Sequence, residues 1–568
     1  MQVLGLLLRQ IPHHPEALNL AGVICDKGRN LVAAVEWFTR AVSAGAGPGA
    51  RVNLGWSLQR LGRLDEAEDA YSRAIEQDPR QAFPWQKLSS LQELRGDWRP
   101  ALESLRRAHA LDPGDLKVHG DTLELRRRIA DWDEATGPGP EGFLSACRSA
   151  TRSDFPPLLL LALPGADAAS QRGLAEVFAK TQWGAELAAA PMAAAPVWPK
   201  KTLRIGYLSS DFRAHPVSYL SLEVIACHDR EHVEVFLYGF GGDESDPFRQ
   251  RARGIADHFR DISNLDDTQA ALRILADRID VLVDLNGYTR DGRLGIIARR
   301  PAPVIATWLG YIGTLGDPRM ADYVIADAVA LPDWLGRQFS ETPAWLPGGF
   351  QGNAPVVVGD CTVDRSAEGL PEDAIVFCSF NQAFKLHPEL WEDWCEILRE
   401  TPGSVLWLMP GNALAEQNLR MEAQRRGVDA SRLVFAQRKP VSEHRARLAL
   451  ADIALDTWPY NSGTTGSDAL RSAVPLLTFA GETFAGRMAA SLLHACGLSD
   501  LVATDRADLV ARAIRLGNSP QELHALRERL LEGVARSTLF DPERCARELE
   551  AAYQWMCERK SLAGLAVR

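Results

Sequence analysis

Residues 454 to 468, ALDTWPYNSGTTGSD, carry an apolar segment into a Gly/Thr loop that opens a helix. Successive backbone N–H groups at a helix N-terminus, with the hydroxyls of Thr464 and Thr465 among them, form a seat for phosphate, because the helix dipole adds its positive end there. Asp468, just inside that helix, is placed to take a sugar hydroxyl. Gly and Thr are also ordinary turn and N-cap residues, so the loop alone leaves phosphate binding and plain architecture both open.

The elements around the loop narrow the choice. From Leu203 onward the chain alternates short apolar segments (LRIGYLSSDF, VEVFLYGF, VLVDLNGY, VIATWLGY, DYVIAD) with helix-like stretches such as DPFRQRARGIADHF. A second series follows a polar stretch near residues 360 to 374: AIVFCSFN, SVLWLMPG, RLVFAQ, IALDTWPYN and PLLTFAG. Alternation of this kind reads as two parallel α/β sheets in tandem, whose ligands sit at the carboxyl ends of the strands. Neither half carries GxGxxG after its first strand or GxxxxGK[ST], which argues against NAD-dependent and P-loop chemistry. A phosphate loop in the second of two facing lobes suits a two-lobed glycosyltransferase instead.

The first third of the chain repeats. Gly62, Ala67, Tyr71, Ala74 and Asp78-Pro79 recur 34 residues later as Gly96, Ala101, Leu105, Ala108 and Asp112-Pro113, the tetratricopeptide period. Small residues let paired helices approach, large ones fill the groove, and Pro ends the second helix, so stacked pairs make a protein-binding solenoid. The pattern predicts about three clear units and two partial ones. It fails near residue 136, where GPGPEG, and later AAAPMAAAPVWPKK, read as connecting structure with some helix.

Composition sets outer bounds. At 568 residues the chain needs several cores, and its 46% hydrophobic and 24% charged residues are ordinary for a globular protein. A net charge of −11 sets nucleic acid aside as the main partner. Nine scattered cysteines without a CxxC pair argue against a disulfide framework and a cysteine zinc site. Neither LLLLAL at 158 to 163 nor the N-terminal VLGLLL approaches the ~20 residues of a membrane helix, and no basic leader precedes the latter. A cytoplasmic protein with no nucleic-acid or membrane partner is the expectation.

Specific segments then carry a family likeness. The repeats lead into LRIGYLSSDFRAHPV, LVDLNGYT, RPAPVIATWLGYIGTLG, FCSFNQAFKLHPE, LALADIALDTWPYNSGTTGSDAL and GETFAGRMAASLL, a series that closely resembles the O-GlcNAc transferases. The likeness runs from about residue 15 to 540 and marks the chain as similar to short bacterial relatives. It implies a tetratricopeptide α-solenoid followed by an α/β two-lobed glycosyltransferase of the GT-B type, with two Rossmann-like domains. The expected boundaries are a solenoid over 1–135, a helical linker over 136–200, lobes over 201–365 and 366–535, and a C-terminal helix over 536–568, with the helices after 520 packing back across the lobes.

The resemblance also implies residue roles. Lys385 would neutralise the diphosphate of UDP-GlcNAc, and Gln382 would touch the nucleotide. His215 is the family's active-site histidine, as proton acceptor or as orienting group. Lys439, Pro440 and Val441 would run beside the uracil, with His444 and Arg447 near ribose and phosphates. Thr464 and Thr465 would hold phosphate and Asp468 the ribose. Two positions depart from the animal pattern: Gly463 replaces a His before the paired Thr, and Val441 replaces a Lys, each removing a nucleotide contact. The one DxD, Asp131 and Asp133 in ADWDEA, falls in the repeat region, so no metal and no cofactor beyond the donor is expected. The implied reaction is inverting, metal-independent transfer of N-acetylglucosamine from UDP-GlcNAc to Ser/Thr hydroxyls of proteins. The alternatives are a repeat scaffold that senses a sugar nucleotide without turnover and a transferase with a small-molecule acceptor.

Overall fold

The structure is a computed structural model that describes residues 2–133, 139–196, 198–356 and 363–566. Residues 137 and 138 of GPGPEG, the boundary at 135/136 and residues 360–362 of the polar stretch lie outside the described residues. The chain divides into two compact units, one made of Met1–Arg126, Asp133–Phe143 and Asn264–Gln269, the other of Arg127–Trp132, Leu144–Ser263 and Ala270–Arg568.

In the first unit, helices Pro15–Lys27 and Leu31–Ser43, Pro48–Arg60 and Leu64–Gln77, and Ala82–Arg95 and Trp98–Leu111 form three successive pairs. Helix Gln2–Gln10 precedes them and Leu116–Arg128 follows. The reason for small residues at fixed positions is direct. A Cβ on Gly22 would come within 2.5 Å of the Phe38 ring, and one on Gly55 within 2.6 Å of the Tyr71 ring. In these two pairs the aromatic of the second helix thus occupies the volume that a larger residue on the first would need.

The second unit holds two parallel sheets. The first consists of β1 (Leu203–Ser209), β2 (Val233–Gly239), β3 (His258–Asp261), β4 (Val281–Asp284), β5 (Val304–Thr307), β6 (Tyr323–Ala326) and β7 (Thr342–Trp345), in the order β3-β2-β1-β4-β5-β6-β7. The second consists of β8 (Val376–Ser379), β9 (Val405–Leu408), β10 (Leu433–Phe435), β11 (Ile453–Leu455), β12 (Leu476–Phe479) and β13 (Val502–Ala503), in the order β10-β9-β8-β11-β12-β13. Both orders reverse beside their first strand, so each lobe has a switch point, between β1 and β4 and between β8 and β11, where a crevice opens at the strand ends.

Two differences from the sequence expectation concern the edges. The stretch read as one helix to Phe259 ends as a helix at Ile255, and His258–Asp261 becomes β3. The helices after residue 520 separate: Leu523, Leu526, Leu530 and Val534 of Pro520–Ala535 belong to the core of the second lobe. The last helix, Pro542–Ala566, returns to the first lobe. There Tyr553 meets the Tyr207 hydroxyl at 3.0 Å, and Glu550 meets His228 Nδ1 at 2.8 Å. Among the described residues no helix is long and apolar enough to cross a membrane, and LLLLAL is a buried single-turn element instead.

Candidate functional site

β11 ends at Leu455 and hands the chain to Asp456, which organises the loop that follows. Its buried carboxylate accepts from Thr457 N–H at 2.8 Å, from Ser462 N–H at 2.7 Å and from the Thr478 hydroxyl at 2.7 Å. The loop is held from the other side by β8 and the residues after it. Lys385 Nζ donates to the Asn461 carbonyl at 2.8 Å, and buried His387 pairs through Nε2 with the Trp458 carbonyl at 2.7 Å. Helix Thr464–Arg471 then starts with its free N–H groups at this junction, and Thr465 Oγ1 donates to Asn381 Oδ1 at 3.2 Å. Lys385 Nζ donates to the same oxygen at 3.1 Å. An ammonium, a hydroxyl and a helix N-terminus therefore meet at the second lobe's switch point, the arrangement an anion requires.

Lys385 is half-buried, and burial pulls its ammonium down to about 8 against the opposing charge of Asp456. Its charge lies 4.0 Å from the centre of the Tyr460 ring. Because Asp456 carries the loop geometry, Asp456→Ala is expected to lower the unfolding midpoint, at a cost of about 3 kcal/mol for three orphaned donors, and to weaken anion binding with it. A thermal melt and a titration on the same sample check both.

The neighbouring segment binds itself more than expected. Pro440 caps the helix Val441–Leu448, and Val441 is its first residue. Lys439 and Arg447 are both ion-paired to Glu368, Arg447 at 3.1 Å. The Arg447 guanidinium, fully buried, lies 5.8 Å from the Phe380 ring centre and 5.7 Å from that of Trp407. It supports the wall of the site from behind. His444 packs edge-on against Phe380 at 4.9 Å and accepts from Arg447 through Nδ1; burial and the nearby arginines push it down to about 4, so it is neutral. His444, Phe380, Asn381, Ser462 and Thr465 line one small cavity. Asp468 is buried, its carboxylate taking the Nε–H of Arg445 at 2.7 Å, and Gln382 is exposed, its carbonyl accepting the Lys385 N–H. Arg445, Asn381, Asp456 and Glu368 were not singled out from the sequence, because their roles arise from partners distant in the chain.

On the first lobe, β1 ends beside Asp211, and His215 caps the helix Pro216–Ala226. Its Nδ1 accepts the Val217 N–H at 3.3 Å and lies 3.6 Å from Asp211 Oδ2. Burial lowers its proton affinity and favours the neutral ring, and an Nδ1 that accepts from Val217 N–H leaves the ring proton to Nε2. Asp211 is fixed in turn by Asn286 Nδ2 at 2.8 Å, at the end of β4. One turn past His215, the Tyr219 ring lies 5.9 Å from the Arg445 guanidinium that holds Asp468. The two switch points thus face one another within one unit.

Among the described residues no group of three or more His, Cys, Asp or Glu side chains is arranged to hold a metal ion. Asp131 and Asp133 lie in the irregular segment after helix Leu116–Arg128.

Two doubly wound lobes whose switch points converge define the class of two-lobed α/β glycosyltransferase folds. The chain belongs to glycosyl transferase family 41, whose family model matches residues 191–360 and 358–549; a tetratricopeptide repeat model matches residues 49–81. It is 37% identical over 360 residues to the probable UDP-N-acetylglucosamine–peptide N-acetylglucosaminyltransferase SEC of Arabidopsis thaliana, covering 62% of this chain and 37% of that one. It is 30% identical over 470 residues to the UDP-N-acetylglucosamine–peptide N-acetylglucosaminyltransferase of Caenorhabditis elegans, covering 63% and 41%. The chain thus spans about two fifths of the length of these curated relatives. A solved structure of a lysine-to-methionine variant of the Thermobaculum terrenum O-GlcNAc transferase superposes with a TM-score of 0.71 at 28% identity, over 97% of this chain and 98% of that one.

Proposed function

We propose that the protein transfers N-acetylglucosamine from UDP-GlcNAc to serine and threonine hydroxyls of proteins, by an inverting route that needs no metal ion. The observation that carries this reading is the convergence of Lys385 Nζ and Thr465 Oγ1 on Asn381 Oδ1 at the N-terminus of helix Thr464–Arg471. The names of the family relatives supply the sugar and the acceptor class. In the proposed step the acceptor oxygen forms a bond to the anomeric carbon as the bond from that carbon to the β-phosphate oxygen breaks; UDP departs with the electron pair, and the acceptor's hydroxyl proton passes to a phosphate oxygen of the departing UDP. Lys385, the threonine hydroxyls and the helix dipole meet the charge that develops there, which is where preorganised donors lower a barrier most. His215 orients the reacting groups through its Nε2–H. The tetratricopeptide helices recruit the protein acceptor.

A proton linkage follows. A diphosphate favours the charged form of Lys385, which titrates near 8 in the free protein, whereas His215 and His444 are already neutral above pH 7. Affinity for UDP should therefore fall as pH rises from 7 to 10, with proton uptake on binding above pH 8, and the slope should vanish in Lys385→Met. Calorimetry in buffers of different ionisation enthalpy reads both.

Incubation of the protein with radiolabelled UDP-GlcNAc and a cell lysate tests the reaction itself. Label should enter protein bands. Label released only as free sugar, or attached only to small molecules, or retained wholly in the donor, would overturn the proposal.

A further inference from the structure

The segment that follows β7 runs alongside helix Thr464–Arg471. At its far end the carbonyls of Ala354 and Pro355 accept from Arg471 at 2.9 and 2.7 Å. At the near end the Gln351 carboxamide lies against position 463, the residue before the helix. A Cβ built on Gly463 would meet Gln351 Oε1 at 3.1 Å and the Met488 methyl at 2.5 Å. The space that a side chain at 463 would need is thus already taken by two residues from elsewhere in the chain.

Gln351 is 4% exposed, yet among the described residues its Nε2 has no hydrogen-bond partner. A buried amide left unmade costs about 1–3 kcal/mol, so a carboxamide held there without a partner is a donor prepared for something that arrives. Position 463, against which the carboxamide lies, is the N-cap of the helix whose free N–H groups form the anion seat.

We propose that Gln351 is a ligand-binding residue of the second lobe's anion seat, its Nε2–H group donating to the diphosphate of the bound nucleotide sugar from beside position 463. The inference rests on the reading of the seat as a diphosphate site, and it places on the interlobe segment a contact that Gly463 itself cannot make.

Titration of the full chain with UDP, together with melting of the ligand-free protein, tests it in Gln351→Met and Gln351→Glu. The Met variant keeps the shape and removes the orphaned donor. Its ligand-free melting temperature should be unchanged or higher, while its UDP affinity falls about tenfold, the worth of a charge-assisted hydrogen bond. The Glu variant should bind more weakly still, because it sets a negative charge beside phosphate. Wild-type affinity in the Met variant would overturn the inference while leaving the diphosphate site intact. A lowered melting temperature in the Met variant would overturn it by showing the amide to be structural. Failure of the unaltered protein to bind UDP would remove the diphosphate site and the inference together.

Discussion

Replacing Lys385 by Ala should lower kcat/KM for sugar transfer by about a thousandfold, or about 4 kcal/mol of transition-state stabilisation. The size follows from where the ammonium sits. It is half-buried, held by the Asn461 carbonyl and Asn381 Oδ1, and backed by the Tyr460 ring, so it pays little reorganisation when charge appears on a leaving diphosphate. Part of the loss should appear as weaker UDP binding and the larger part in kcat, because charge on the β-phosphate oxygen grows as the sugar bond breaks. Lys385→Arg should recover little, since a planar fork cannot take the place of a compact ammonium between two fixed oxygens. Steady-state kinetics with a peptide acceptor, alongside UDP titration, separate the two contributions. A variant with unaltered kcat would remove Lys385 from the reaction.

The second large effect belongs to His215. His215→Ala is expected to lower transfer by about a hundredfold to a thousandfold while UDP affinity stays within about twofold, because the histidine stands on the first lobe and the anion seat on the second. The hydrogen bond from Val217 N–H to Nδ1 places the ring proton on Nε2, so the ring meets the substrate as a donor. His215→Gln, whose amide N–H reaches a similar point, should then recover part of the activity. A residue serving as proton acceptor would not be rescued by an amide, and full loss in the Gln variant with retained folding would assign that role to His215.

How far the sequence reached depended on whether a feature was local. The solenoid was legible because its packing repeats: Gly22 against Phe38 and Gly55 against Tyr71 are one contact written twice. Central strands such as β4, β8 and β11 were legible because both faces are covered, which forces short, mainly apolar runs. The edges were not. β3 reads HFRD and is only half-buried, so it resembled the tail of the preceding helix. β7 carries Pro343, which an edge strand tolerates, and β13 is two residues long.

The site followed the same rule. The Gly/Thr loop and its helix could be read directly, because turn and cap chemistry is local. Asp456 looked like a strand end; only the fold brings Thr478 and the Ser462 N–H to its carboxylate. Glu368 carries no signal of its own, and its position against Lys439 and Arg447 explains why Arg447 stands as wall and Lys439 as a paired surface cation, neither as a free charge facing the cleft. The departure at Gly463 read as a lost contact. The structure fills that space with Met488 and Gln351, a substitution across the fold that no spacing in the sequence announces.

The most direct measurement is a crystal structure of the protein with UDP bound. The expected arrangement has the β-phosphate within hydrogen-bond distance of the Thr464 and Thr465 N–H groups and of Lys385 Nζ, with the uracil beside Lys439 to Val441. Nucleotide density away from the N-terminus of helix Thr464–Arg471, or a diphosphate that Lys385 does not touch, would contradict it.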